Sequence, residues 1–146
     1  MPTRRSLRQL LAKLAGPARD EAAEAEWRRR LPPEVYAVLR REATERPFSS
    51  PLNGERRAGT YCCAGCGQAL FMQAAKFDSG SGWPSFFEAL PGAVAMRTDW
   101  KALVPRTEYH CARCGGHQGH RFDDGPAPTG KRYCNNGLAL RFEPDR

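Results

Sequence analysis

Two C-x-x-C pairs constrain this chain more than any other feature: Cys63 with Cys66, and Cys111 with Cys114. Four thiolates in two such pairs satisfy tetrahedral zinc with no coordination position left open, so the expected Zn2+ site is structural. Each pair is followed by glycine (Gly67; Gly115 and Gly116), which lets the backbone turn tightly and aim amide N–H groups at sulfur. The gap of 44 residues between Cys66 and Cys111 is too long for a compact zinc ribbon. The ion would instead clip together two distant parts of one domain. The competing readings are a pair of redox dithiols or unligated core cysteines.

A chain of 146 residues with 40% apolar residues and mean hydropathy −0.65 suits one soluble domain with a short extension. Nothing approaches the ~18 consecutive apolar residues of a membrane span. The net charge of +7 is spread, with +4 on residues 1–50 and +3 on residues 51–146. No Lys/Arg cluster interleaves with aromatics, so a mildly basic solvated surface explains it better than nucleic acid does. The paired C-x-x-C pattern and the lack of a recognisable signal peptide favour a reducing compartment, the cytoplasm, over a secreted disulfide scaffold. Nothing in the sequence demands more than a monomer.

Residues 1–25 form a basic extension, helical or disordered, with a break at Gly16-Pro17, and residues 26–146 form the domain proper. Within the Ala/Arg/Glu-rich start, Glu24 and Arg28 are spaced to pair along a helix. Pro32-Pro33 starts a helix over 33–43 whose apolar face is Val35, Val38 and Leu39. From Thr44 onward, short apolar runs between Gly/Pro turns predict antiparallel strands near 58–62, 69–72, 93–97, 107–111, 119–122, 131–135 and 137–142. The last is the clearest, because Leu138, Leu140 and Phe142 alternate with Ala139 and Arg141.

Cys134 is the thiol left over once the pairs are assigned, apart from Cys62 beside the first knuckle. It lies between Lys131-Arg132 and Asn135-Asn136, a polar and electropositive setting expected to lower its pKa and favour the nucleophilic thiolate. All three histidines fall within 110–120. His117 and His120, three apart, would face opposite sides of a regular strand; a bulge or turn at Gly119 would bring them together for proton transfer. Otherwise they are two ordinary hydrogen-bonded histidines. The Lys76–Phe87 segment is too rich in glycine and serine for a central strand and too aromatic for an ordinary loop. It either presents Trp83 and Phe86 to a small cavity or plugs the core.

Taken together, TERPF (44–48), YCCAGCG (61–67), KFDSGSGWPSF (76–86), RTEYHCARCGGHQGHRFDDGP (106–126) and RYCNNG (132–137) resemble the B-type peptide-methionine sulfoxide reductases over about residues 26–143. The resemblance implies a mainly β, tent-like domain of two antiparallel sheets with peripheral N-terminal helices. It implies reduction of the R epimer of methionine sulfoxide in oxidised proteins or peptides. Cys134 would be the nucleophile and Cys63, Cys66, Cys111 and Cys114 the zinc ligands. Trp83, with Phe86, would hold the substrate's ε-methyl group. His117 and His120 would position or protonate the sulfoxide oxygen, Asp123 would be a supporting carboxylate, and Arg132 and Asn136 would hold charge and geometry around the thiolate. Attack would leave a sulfenic acid for a thiol to reduce.

Two departures stand out. Many family members carry S-G-C-G-W in the glycine-rich loop, that cysteine resolving the sulfenic acid as a disulfide; here the position is Ser81. Either an external reductant such as thioredoxin acts directly, or Cys62 serves as the resolving thiol. Asn135 stands where Ile or Val is usual. The rival class is a non-catalytic zinc-stabilised β module that binds a small ligand or nucleic acid, and a redox sensor or zinc store is a third reading. A binding module would not require Cys134 or the His-x-x-His stretch.

Overall fold

A computed structural model describes residues 21–146. The Gly16-Pro17 break lies outside the described residues. Helix α1 (Glu21–Arg30) places acidic residues in its first turn and arginines in its last, complementing the helix dipole. It runs across position 25, and Glu24 is tied to the domain: its carboxylate accepts from the Tyr36 hydroxyl at 3.0 Å and pairs with Arg41 at 3.3 Å. Arg28 reaches Tyr36 instead, so the expected Glu24–Arg28 pair gives way to tertiary partners.

Helix α2 (Pro33–Arg41) begins with proline in its first turn and stops at Glu42 in the left-handed region (φ 59°). Val38 and Leu39 are buried as expected, joined by Tyr36, while Val35 packs at the edge of the core.

Among the described residues, nine strands form two antiparallel sheets. The smaller orders β2 (Ala69–Met72), β1 (Gly59–Cys63) and β9 (Leu140–Pro144). The larger orders β3 (Lys76–Phe77), β4 (Ser85–Phe86), β8 (Arg132–Asn135), β7 (His117–Phe122), β6 (Arg106–Cys111) and β5 (Val94–Asp99). The mainly β architecture with N-terminal helices is therefore as the sequence indicates. Fully buried aromatics join the sheets. Phe71 stacks on Phe86 at 4.2 Å between ring centroids, and Tyr61 meets Phe86 edge-on at 5.0 Å. Contacts of this offset or edge kind add to the large area that each ring buries. Among the described residues, no helix is long and apolar enough to cross a membrane.

Two expectations are corrected. Ser85–Phe86, in the segment read as too polar for a central strand, forms an interior strand between β3 and β8. The segment 137–142 is not one strand: Gly137–Ala139 is a 3-10 turn, and pairing starts at Leu140. Tertiary bonds override the alternation there. The Leu138 N–H donates to the Glu45 carboxylate at 2.8 Å, and the Ala139 carbonyl accepts from Ala64 at 2.9 Å.

Candidate active site and metal centre

The four C-x-x-C thiols converge, with all their sulfurs within 4.8 Å of one another. Cys63 Sγ lies 3.7 Å from Cys114 Sγ, and Cys66 Sγ lies 3.5 Å from Cys111 Sγ. Backbone N–H groups of Gly65 and Gly116 donate to Cys63 and Cys114 at 3.4 Å each, as do bonds that stabilise metal-bound thiolate. A side chain adds a third: Gln118 Nε2 donates to Cys63 Sγ at 3.4 Å. The arrangement can bind a metal ion. Cys63 ends β1 of the smaller sheet and Cys111 ends β6 of the larger, so the clip joins the two sheets.

Cys134 stands in the middle of the larger sheet, opposite Ser85 on β4 and opposite His120 on β7. Side chains directly opposite on neighbouring strands share a face, so His120 flanks the thiol. Gly119 is what permits this approach. A Cβ there would lie 1.9 Å from the Cys134 carbonyl oxygen.

The two histidines do meet. Tyr109 pairs with Gly119 but His110 pairs with His117, leaving Gln118 as an extra residue in β7. That bulge turns the rings to 5.7 Å between centroids, edge to face. Their environments differ. His117 is buried, which drops its pKa to about 4; Nδ1 has no hydrogen-bond partner and lies 3.9 Å from Glu108 Oε2. His120 is partly open, and its Nε2 lies 2.8 Å from Asp99 Oδ2.

The thiol itself departs from expectation. Burial pushes the Cys134 pKa up, and this outweighs the opposing hydrogen bond from Ser81 and the charge of Arg132. The reason is visible in the partners of Arg132. Its guanidinium forks onto Asp124, with Nε to Oδ1 at 2.8 Å and Nη2 to Oδ2 at 3.1 Å, so much of its field is neutralised. Asp124, which sequence reasoning missed, is the carboxylate that holds Arg132. Asp123 is exposed and pairs with Lys131 at 2.6 Å.

The glycine-rich loop lies across the thiol. Ser81 Oγ is 4.0 Å from Cys134 Sγ, and a hydroxyl chain continues through Ser79 (2.7 Å) to Ser85 (2.8 Å). Gly82, at φ 96°, packs so tightly on the 44–48 segment that a Cβ would meet Pro47 at 2.7 Å. Trp83 donates its indole N–H to the Glu45 carbonyl at 3.0 Å and stays half-buried. Phe86 does not line the site: it has no exposed surface and belongs to the aromatic core. A cavity of about 460 Å³ lies against Trp83, Ser79 and Phe48, but Cys134 and the histidines do not line it.

Asn136 is buried with both amide atoms engaged, Nδ2 on the Gln118 carbonyl at 2.9 Å and Oδ1 taking the Glu45 N–H at 3.0 Å. Asn135 is also fully buried. It accepts from Tyr109 Oη at 2.7 Å and donates to Gln118 Oε1 at 3.1 Å. A polar chain therefore runs from Cys63 of the four-cysteine cluster, through Gln118, to the neighbour of Cys134. Cys62 lies in the other sheet, among Glu143, Arg141 and Cys66, where burial raises its pKa. It shares none of the groups that act on Cys134.

A SelR domain match spans residues 31–144. The chain belongs to the SelR family. Its relatives include three proteins named peptide methionine sulfoxide reductase MsrB. That of Bradyrhizobium diazoefficiens is 56% identical over 123 residues, covering 84% of this chain and 88% of the relative. The Methanosarcina barkeri protein is 49% identical, over 86% of this chain and 89% of its own. The Agrobacterium fabrum protein is 51% identical, over 84% and 91%. Among solved structures, the Mis18 'Yippee-like' domain matches 60% of this chain at 17% identity, with a TM-score of 0.46.

Proposed function

We propose that this SelR protein reduces peptide-bound methionine (R)-S-oxide to methionine and so repairs oxidised proteins. Family membership sets the substrate class. The observation that carries the chemistry is Cys134, set in register with His120 and covered by the Ser81–Trp83 loop. Trp83, fixed by its bond to Glu45, supplies an apolar wall for the methyl group. Cys134 sulfur attacks the sulfoxide sulfur while the thiol proton reaches the sulfoxide oxygen. Methionine leaves, and the hydroxyl-bearing sulfur is now that of Cys134: one sulfur is reduced and the other oxidised to sulfenic acid. Two further thiols then return Cys134 to the thiol, giving a disulfide and water.

His120 suits the proton transfer better than His117, which burial keeps neutral and which is removed from the register of Cys134. The separate neighbourhoods of Cys62 and Cys134 favour an external reductant of the thioredoxin type over internal resolution. Zinc best suits the four-thiolate cluster, where it would be structural and would link the two sheets. The family match over residues 31–144 supports a catalytic domain there, with 26–146 as its proposed bounds and a monomer as its proposed state, and six unpaired thiols suit the cytoplasm.

The test is turnover of the R and S epimers of a methionine sulfoxide peptide with dithiothreitol. Zinc-loaded protein should consume only the R epimer, and Cys134→Ser should be inert. Absence of turnover by the intact protein defeats the proposal, and activity in Cys134→Ser displaces the nucleophile.

A further inference from the structure

Behind the two histidines lies a buried charge cluster that the reaction above does not use: Asp99 at the end of β5 and Glu108 on β6. Their side chains are 2% and 3% exposed, so each must be compensated. Ligand atoms of Asp99, Glu108 and His120 lie within 4.8 Å of one another, close enough to suggest a second cation site. The charges argue otherwise. Arg106 pairs with Asp99 at 3.3 Å, and Arg97 pairs with Glu108 and Glu42. Two guanidinium groups already balance the two buried carboxylates. A divalent ion would have to displace them.

What remains is the bond between Asp99 and His120. The pKa of Asp99 is held at about 2, by the Lys101 backbone N–H and by His120 itself, so it is an acceptor only at neutral pH. Oδ1 takes the Lys101 N–H at 2.9 Å, and Oδ2 faces His120 Nε2 at 2.8 Å. An acceptor at that distance requires the proton of neutral His120 to sit on Nε2, which leaves the lone pair on Nδ1. The ring stands opposite Cys134 in strict register.

We propose that Asp99 is the positioning residue that fixes His120 as its Nε2–H tautomer, so that Nδ1 is the atom that takes the Cys134 proton and passes it to the sulfoxide oxygen. The proposal rests on the reductase reading. In it the S–H bond breaks and an O–H bond forms, with no net proton taken up. Asp99 stabilises the imidazolium that exists between the two transfers. This also separates the paired histidines. His117 has a carboxylate at 3.9 Å and an unbonded Nδ1, and so lacks the constraint that prepares His120.

Two measurements on the zinc-loaded protein test the idea. The first is the ring-nitrogen NMR spectrum of His120 in the unaltered chain at neutral pH, which needs neither a variant nor activity. An Nε2–H tautomer is expected, and an Nδ1–H tautomer overturns the proposal. The second is Asp99→Asn. The Lys101 N–H keeps the amide oxygen, so the amide NH2 takes the Oδ2 side, where it breaks the longer Arg106 contact, faces Nε2 and demands the opposite tautomer. The expected result is a shift to Nδ1–H with kcat lowered about 10²–10⁴-fold and KM nearly unchanged; Asp99→Glu, which keeps the carboxylate, should recover part of the loss. Unchanged kcat in Asp99→Asn, or a loss with no change of tautomer, refutes the assignment. If the unaltered protein fails to reduce methionine sulfoxide, the reductase reading fails by itself, and the tautomer result still stands or falls separately.

Discussion

Replacing Asn135 with isoleucine, one of the residues usual at this position in resembling proteins, should destabilise this protein although it makes the core more apolar. The side chain is fully buried and bonds the Asn136 carbonyl at 2.9 Å, which also keeps the Ala139 N–H, and two equally buried groups, Tyr109 Oη at 2.7 Å and Gln118 Oε1 at 3.1 Å. Asn135→Ile strands both. An unsatisfied buried polar group costs about 1–3 kcal/mol, so the two together cost about 2–6 kcal/mol. The larger apolar side chain returns about 1–2 kcal/mol. The net loss is then on the order of 2–3 kcal/mol, which lowers Tm by about 5–10 °C in a chain of this size. Urea and thermal unfolding of the zinc-loaded protein measure it. The combination Asn135→Ile, Gln118→Leu and Tyr109→Phe removes both stranded groups and should recover part of the loss, the remainder reflecting the Gln118 bond to Cys63 that it also removes. If Asn135→Ile alone is neutral or stabilising, the buried network does not hold this region together.

Further outcomes follow from the same geometry. Because burial raises the Cys134 pKa, iodoacetamide should alkylate Cys134 slowly at neutral pH and faster only above the ordinary thiol range, with Arg132→Ala pushing the midpoint higher still. Mass spectrometry reads the rate, and a midpoint below the ordinary range refutes it. His117, with its pKa lowered to about 4 from 6.5 by burial, contributes stability that is complete above about 6.5 and lost as pH falls toward 4. His117→Gln should flatten that part of the stability profile. Cys63→Ser, or chelation, should release the ion and unfold the domain, as seen by metal content and circular dichroism, because the clip between the sheets is lost. Ser81→Cys should convert recycling to an internal route: one turnover without reductant would leave a disulfide to Cys134, detected as a loss of two mass units.

The local patterns of the chain were readable wherever chemistry and spacing coincide. The C-x-x-C pairs lie in sequence as they lie in space, and Pro32-Pro33 marks its helix start without help from distant groups. Harder to read were the features set by neighbours far along the chain. Asp99 on β5 reaches His120 on β7 across the intervening strand β6, and no local motif connects positions 21 residues apart. Asp123 and Asp124 are indistinguishable in sequence; only the end of β7 decides which of them faces Arg132. Phe86 read either as a binding aromatic or as a core plug, and only its pairing with β8 decides for the core. The expected acidity of Cys134 failed for a related reason. Arg132 is adjacent, as the sequence shows, but the carboxylate that neutralises it and the burial that opposes it are tertiary.

Ser81, four ångströms from the nucleophile, also sets a clock. A cysteine there would end the oxidised state within the molecule, at a rate independent of its surroundings. A hydroxyl cannot, so under the proposed mechanism the sulfenic acid persists until a thiol collides with it, and its lifetime scales inversely with reductant concentration. The first turnover should appear as a burst of one methionine per protein, with the later rate rising in proportion to thiol. When oxidant is abundant and thiol scarce, the same waiting state is open to a second oxidation, to sulfinic acid, which ordinary thiols do not reverse. Repair capacity would then decline most during the stress that creates the substrate.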